Sequence, residues 1–299
     1  MLFMMLTKFW KKSCMIFRRS THKGYGISII IPFRRSKKYA RQNENFRWVK
    51  KYWKCQLPGA EIIVGKDRKR RKAFSKSAAV NDGVYISNGE IIVIADVDCY
   101  IDADVVLHCA NEIRRAASRG QRLWFVPYRK FFRLTDAASR KVLSSDPCFP
   151  HQFPTPPLPS DEDSTGYYKH PHHTRHCWSG SKRGHWYGAM IQIMSRKAFE
   201  KMGHWDCRFR GWGGEDHSAM RAMDMLYWRH KTTPNQVLHL WHPMLSHFGT
   251  EPWVEWKYRL WDNQPKSGSN GRLAARYSNA FGDVKKMRAL VNEPGTDNY

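Results

Sequence analysis

The feature that most constrains this chain is a series of short apolar runs, the third of which ends in paired acids. Glu90-Ile-Ile-Val-Ile-Ala95 is continuously apolar after its first residue and closes on Asp96-Val97-Asp98. Runs this short, without alternation, suit strands covered on both faces. Two similar runs precede it, at 26–33 (ended by Pro32) and at 61–64. The intervening stretches 37–53 and 73–87 carry helical patterns, the second with Ala78, Ala79, Gly83 and Ile86 as a small-residue surface for close packing. This β-α-β-α-β order predicts an α/β fold with a mostly parallel central sheet and ligands at the carboxyl ends of its strands.

Further along, a helix is expected over 102–118, a strand over 123–126 and another over 187–194. Ser195 then caps a short helix to Met202, a helix follows from 216 to 227, and Val237 to His242 forms a strand. Residues 144–186 are rich in proline and histidine and lack periodicity, which predicts a long acceptor-side or mobile loop. Their histidines lack a zinc spacing. The expected division is a basic N-terminal extension (1–25), a catalytic domain (26–250) and an aromatic-rich C-terminal extension (251–299).

A second motif, Gly211-Trp-Gly-Gly-Glu-Asp216, lies more than a hundred residues beyond the first. Asp-x-Asp at a strand end also occurs as a solvated turn, but glycines beside a tryptophan and two acids make a costly loop. Gly213 and Gly214 permit positive φ and close approach of the backbone to a ligand. Trp212 offers an apolar platform for a sugar ring. Glu215 and Asp216 open a helix, where the amide ends favour carboxylates; one can bind hydroxyls while the other takes a proton. Carboxylates at 96 and 98, with His239 or His242, are candidate ligands for a divalent ion bridging a diphosphate.

Charge adds a partner. The chain carries 51 Lys and Arg against 26 Asp and Glu, a net +25. Residues 34–72 alone hold 15 bases and 3 acids. Such a field favours a polyanion, either nucleic acid or an anionic membrane surface. The apolar start is far below the roughly 20 residues of a membrane span, although residues 1–20 could lie on a surface as a basic amphipathic helix. Seven cysteines without a C-x-x-C pair predict no disulfide framework and a reducing, cytoplasmic setting (the host's, for a phage-encoded chain).

These residues, in this order over about 26–245, resemble GT-A glycosyltransferases, in particular the branch of polypeptide N-acetylgalactosaminyltransferases, β-1,4-galactosyltransferases and chondroitin-type polymerases. The matching pieces are Ser28-Ile-Ile-Ile-Pro-Phe33, the segment through Asn81, Gly89 and Glu90, Asp96-Val-Asp98, Gly211-Trp-Gly-Gly-Glu-Asp216 and His239-Leu-Trp-His242. The resemblance implies a Rossmann-like nucleotide-sugar fold, a UDP-sugar donor and Mn²⁺, with Mg²⁺ as the alternative. It further implies Asp96 and Asp98 as metal and nucleotide acids, His242 or His239 as the later ligand, and Asp216 as base with Glu215 beside it. Pro32, Phe33, Arg34 and Asp67 fall where such enzymes contact the nucleobase. His217 departs from the further acid usual in galactosyltransferases, so the sugar is left open. Hydroxymethylated DNA, protein and polysaccharide are the candidate acceptors, and a non-catalytic basic nucleic-acid-binding protein is the rival reading.

Overall fold

The computed structural model describes residues 26–37, 39–69, 73–153, 166–168, 174–179, 190–211, 213–243 and 270–296. The three apolar runs are strands β1 (Ile27–Pro32), β2 (Glu61–Gly65) and β3 (Ile91–Ala95). β1 pairs in parallel with β2 on one side and β3 on the other, so the sheet changes winding direction at β1. Helix α1 (Ala40–Gln56) connects the first two strands and α2 (Lys76–Ile86) the second pair.

The small residues of α2 explain how closely it sits on the sheet. A Cβ at Gly65 would lie 1.9 Å from the Ala79 carbonyl oxygen, and one at Gly83 would lie 2.4 Å from Ile30 Cγ2. Substitution at either position must push helix and sheet apart. Ile86, expected on that packed surface, is instead exposed at the helix end. Ser75 caps α2 by accepting from Ala78 N and donates its own hydroxyl to the Phe209 carbonyl. The amino end of α2 is thereby tied to the glycine-rich segment.

After β4 (Cys99–Tyr100) and α3 (Ala103–Ser118), the chain forms β5 (Phe125–Val126), β6 (Lys130–Leu134) and α4 (Asp136–Ser144). Then come β7 (Gly166–Tyr168), β8 (Thr174–Ser179), β9 (Ile191–Ser195) and α5 (Arg196–Met202). Ser195 caps α5 through Ala198 N, as expected. The main sheet has the order β10-β5-β9-β3-β1-β2, where β10 is Lys231–Thr232. It is mostly parallel, with β9 antiparallel to both β3 and β5.

A second sheet, β4-β11-β6-β8-β7, was not anticipated. Its strand β11 (Gln236–His239) follows helix α6 (Glu215–Leu226). Two of its strands, β7 and β8, fall inside the stretch read as a structureless loop. Pairing with β6 through backbone hydrogen bonds gives them a conformation that composition does not encode. At the carboxyl end, α7 (Asn270–Ala280) and α8 (Val284–Val291) pack on α6, with Tyr277, Met287 and Leu290 meeting Phe209, Ala222 and Leu226. The aromatic cluster at 253–261 lies outside the described residues.

One cysteine reading is corrected. Cys55, in the last turn of α1, is bonded to Cys148, 93 residues away, with Cα atoms 5.3 Å apart. Neither an odd cysteine count nor the absence of C-x-x-C bears on a pair brought together by tertiary packing. Cys99, Cys109 and Cys207 are buried thiols outside any disulfide.

Candidate active site

Asp96 lies just past the carboxyl end of β3, its amide donating to the Met190 carbonyl. Asp216 lies in the first turn of α6, behind the N-cap Gly214 at φ 89°. The two half-buried carboxylates are joined by one half-buried cation. Lys76 Nζ stands 2.6 Å from Asp96 Oδ1 and 2.7 Å from Asp216 Oδ1, and 5.7 Å from the centre of the Trp205 ring. Lys76 is the first residue of α2, an end where the helix dipole disfavours a cation. A lysine there is the sequence signal for nearby acids, and it was missed.

Three acids surround this one lysine, and the surplus of negative charge shows in their titration. Burial pulls Lys76 down, but Asp216, Asp96 and Glu215 together raise it well above the ordinary lysine value. Burial pushes Asp96 up to about 8, with Lys76 opposing and Asp216 and Asp98 adding to the rise. Burial and then Asp216 push Glu215 up to about 7, and its Oε2 has no hydrogen-bond partner among the described residues. The lysine stays charged, and the acids left over hold protons more tightly than exposed carboxyls do.

Asp98 turns to a different set of partners. The β4–β11 pairing sets His239 opposite Cys99, and the Leu240 amide donates to the Asp98 carbonyl at 2.7 Å. His239 Nε2 then lies 3.7 Å from Asp98 Oδ1 and His242 Nε2 3.3 Å from Asp98 Oδ2. Burial would raise Asp98, but His239, His242, the Cys99 thiol and Arg133 hold it below the ordinary carboxylate range. Burial drives His239 down to about 3 despite Asp98. His239 is therefore a neutral imidazole at pH 7.

Ligand atoms of Asp98, Cys99 and His239 converge within 4.8 Å of one another. Burial raises the Cys99 thiol far above neutrality, so it serves as a donor to Asp98 at 3.5 Å rather than as a thiolate. An ionised carboxylate with a neutral imidazole, and His242 beside them, fits a divalent ion. The nitrogen donors favour Mn²⁺ over Mg²⁺, which prefers an all-oxygen shell. Both histidines reach Asp98, whereas Asp96 is engaged by Lys76.

The expected donor residues gather at the ends of β1 and β2. Pro32 ends β1; Phe33 stacks on Phe46 with centroids 4.0 Å apart. The Arg34 guanidinium lies 5.3 Å from the centre of the Phe74 ring. Asp67 is buried, accepting from Ser75 N at 3.0 Å and lying 3.4 Å from Arg210 Nη1, while its Oδ1 lacks a partner among the described residues. Gly211 donates its amide to the Phe74 carbonyl at 2.8 Å. Gly211 and Gly213, at φ 73° and 103°, have no atom of the described residues within 4 Å of where a Cβ would be. Trp212 lies outside the described residues.

No protein-family profile matches this sequence, and no curated protein does. Among solved structures, the chain is similar to the catalytic domain of Drosophila β1,4-galactosyltransferase 7 in complex with xylobiose, at 16% identity and a TM-score of 0.38, over 81% of this chain and 82% of that one. It is also similar to GalNAc-T7 with UDP, GalNAc and Mn²⁺, at 13% identity and a TM-score of 0.45, over 89% of this chain but 54% of that one. A third is S. aureus TarS 1–349, at 12% identity and a TM-score of 0.38, over 71% and 60% of the two chains. Likeness this weak says nothing of substrates, and the chemistry is read from the residues present.

Proposed function

We propose that this chain is a metal-dependent GT-A glycosyltransferase that moves a sugar from a UDP-sugar to an acceptor hydroxyl with inversion. The observation that carries the reading is the adjacency of two differently built acid groups at the carboxyl end of a mostly parallel sheet. Asp98, His239 and His242 would hold the divalent ion, which when bound neutralises the charge developing on the departing diphosphate. Asp216 is the base. As the acceptor oxygen bonds to the anomeric carbon and the bond to the diphosphate breaks, the acceptor proton passes to Asp216 and the electron pair leaves with UDP. Lys76 Nζ, 2.7 Å from Asp216 Oδ1, holds that carboxylate in place. Glu215, with its unpartnered Oε2, is placed to bind a sugar or acceptor hydroxyl. Asp67 and Arg34 face the nucleobase end.

For the acceptor we favour nucleic acid carrying a hydroxymethylated base. The exposed stripe of α1 presents Arg47, Lys51 and Lys54, a basic row suited to phosphates. A base within a duplex would have to be flipped out to reach the site. UDP release from candidate donors, with and without Mn²⁺ and with Asp98→Ala as control, tests the reaction. The same assay over modified DNA, protein and glycan acceptors tests the acceptor. Absence of any Mn²⁺-dependent donor turnover or UDP binding leaves the non-catalytic basic binding protein as the better reading.

A further inference from the structure

The glycine-rich turn that delivers Glu215 and Asp216 is held from two sides. On one side Ser75 donates its hydroxyl to the Phe209 carbonyl, and Gly211 donates its amide to the Phe74 carbonyl. The start of α2 thus fixes one flank. On the other side stands α7, within the stretch expected as a C-terminal extension.

Asn270, the first residue of α7, meets the backbone of Arg210 with both ends of its amide. Its Oδ1 accepts from the Arg210 N–H at 3.1 Å, and its Nδ2 donates to the Arg210 carbonyl at 2.9 Å. A carboxamide carries the acceptor and donor of a peptide group on one short stem. The pair therefore works as a single rung of a ladder. That rung lies directly before Gly211, whose φ of 73° begins the turn.

The contact continues along one stripe of α7, because residues 270, 274 and 277 share a helix face. Ala274 closes on the N-cap of α6. A Cβ at Gly214 would lie 2.9 Å from Ala274 Cβ and 3.5 Å from the Asn270 carbonyl oxygen. The Tyr277 hydroxyl donates to Asp206 Oδ2 at 3.0 Å, and its ring centre lies 6.1 Å from that of Phe209. One stripe thus meets Asp206, Phe209, Arg210 and Gly214. The helix pair is anchored in turn by Arg208, which pairs with Glu293 and donates to the Leu290 carbonyl at 3.2 Å.

We infer that Asn270 is a positioning residue for the transfer reaction: its pairing with the Arg210 backbone fixes where the turn begins, and so where the first turn of α6 presents Glu215 and Asp216. Its action runs through the backbone rather than through the reacting atoms. A base works only within hydrogen-bond reach of the acceptor hydroxyl, and a displacement of about 1 Å costs a large factor in rate. The role in turnover rests on the glycosyltransferase reading, with Asp216 as base; the hold on the turn does not.

Asn and Asp serve a helix start about equally well, but Asp cannot donate to the Arg210 carbonyl. Asn270→Asp, with Asn270→Ala beside it, therefore separates positioning from helix stability. In the full-length protein, hydrogen exchange read by mass spectrometry should be several-fold faster over residues 209–216 in both variants. Residues 27–32 and 91–95 should exchange as in the parent, and in Asn270→Asp so should residues 271–291. The melting temperature of Asn270→Asp should match the parent. In UDP release its kcat should fall roughly tenfold while the donor KM moves by less than about twofold. Parental exchange over 209–216 in both variants overturns the inference. So does an unchanged kcat in Asn270→Asp, or a loss carried by the donor KM alone. A parent that turns over no donor defeats the transferase reading instead, and exchange still decides whether Asn270 holds the turn.

Discussion

The two acid groups at the end of the main sheet use the same residue type in opposite ways. Asp96 and Asp216 are bridged by an internal cation, Lys76, 2.6 and 2.7 Å away. Asp98 has two histidines at 3.3–3.7 Å, one of them neutral, in a group whose ligand atoms could hold a metal ion. A side-chain cation pairs two carboxylates with each other, whereas the neutral His239 imidazole leaves the Asp98 carboxylate without a fixed cation of that kind. The division follows from which element brings the partner. Lys76 comes from a helix end on the main sheet, His239 from β11 inside the second sheet and His242 from the segment that follows it.

The largest effect should come from removing the internal cation. Lys76→Met leaves buried Glu215 and half-buried Asp96 and Asp216 without their cation, which should cost about 1–3 kcal/mol of stability and lower turnover by roughly a hundredfold or more. Thermal melts and UDP release measure the two, and Lys76→Arg should restore part of each. If Lys76→Met melts and turns over like the parent, the bridge has no role. Asp98→Asn should do the reverse: melting without metal changes little, while the Mn²⁺-induced rise in melting temperature disappears and Mn²⁺-dependent UDP release falls roughly a hundredfold. A variant that still gains stability from Mn²⁺ would move the metal elsewhere.

The two groups should also respond to pH with opposite signs. His239 takes up its proton only near pH 3 in the folded chain but near its ordinary 6.5 when unfolded. Its contribution is complete above about 6.5 and is lost as pH falls toward 3. Asp96 keeps its proton to about 8 when folded but loses it near 3.8 when unfolded, so stability declines as pH rises between those values. Each slope is at most about 1.4 kcal/mol per pH unit. Urea melts across pH 3–8 should show His239→Gln flattening the acid-side loss and Asp96→Asn flattening the decline toward pH 8. Parallel curves for the two variants would refute the contrast. The smallest effect is expected from Arg34→Ala. Losing the contact with Phe74, worth about 0.5–1 kcal/mol, should raise the KM for the donor a few-fold with kcat unchanged.

Much of the main sheet was legible because buried strands and covering helices announce themselves within ten residues. β1, β2, β3 and α2 lie within a few residues of where apolar runs and small-residue spacing place them, and Ser195 caps the helix it precedes. The acid pair and the Gly-Trp-Gly-Gly-Glu-Asp turn were equally visible. Gly211 and Gly213 do take left-handed conformations. The second sheet was not legible, because β4 is two residues long and β7 and β8 carry no apolar signal. Such strands exist through pairing with distant backbone. The same holds for Cys55 and Cys148, whose meeting depends on α1 packing near the end of α4.

Local pattern therefore sufficed for the succession of strands and helices over 26–95, the position of four candidate acids and the basic excess, since each depends on neighbours in the chain. Tertiary structure alone assigned the acids their partners. It set Lys76 between Asp96 and Asp216, and it brought both histidines, rather than one, to Asp98. It also placed Tyr100 behind the ladder that carries His239. Apart from Lys76 with Asp96, those outcomes join segments more than 100 residues apart, and in the β4–β11 ladder moving a strand by one residue turns every side chain to the other face.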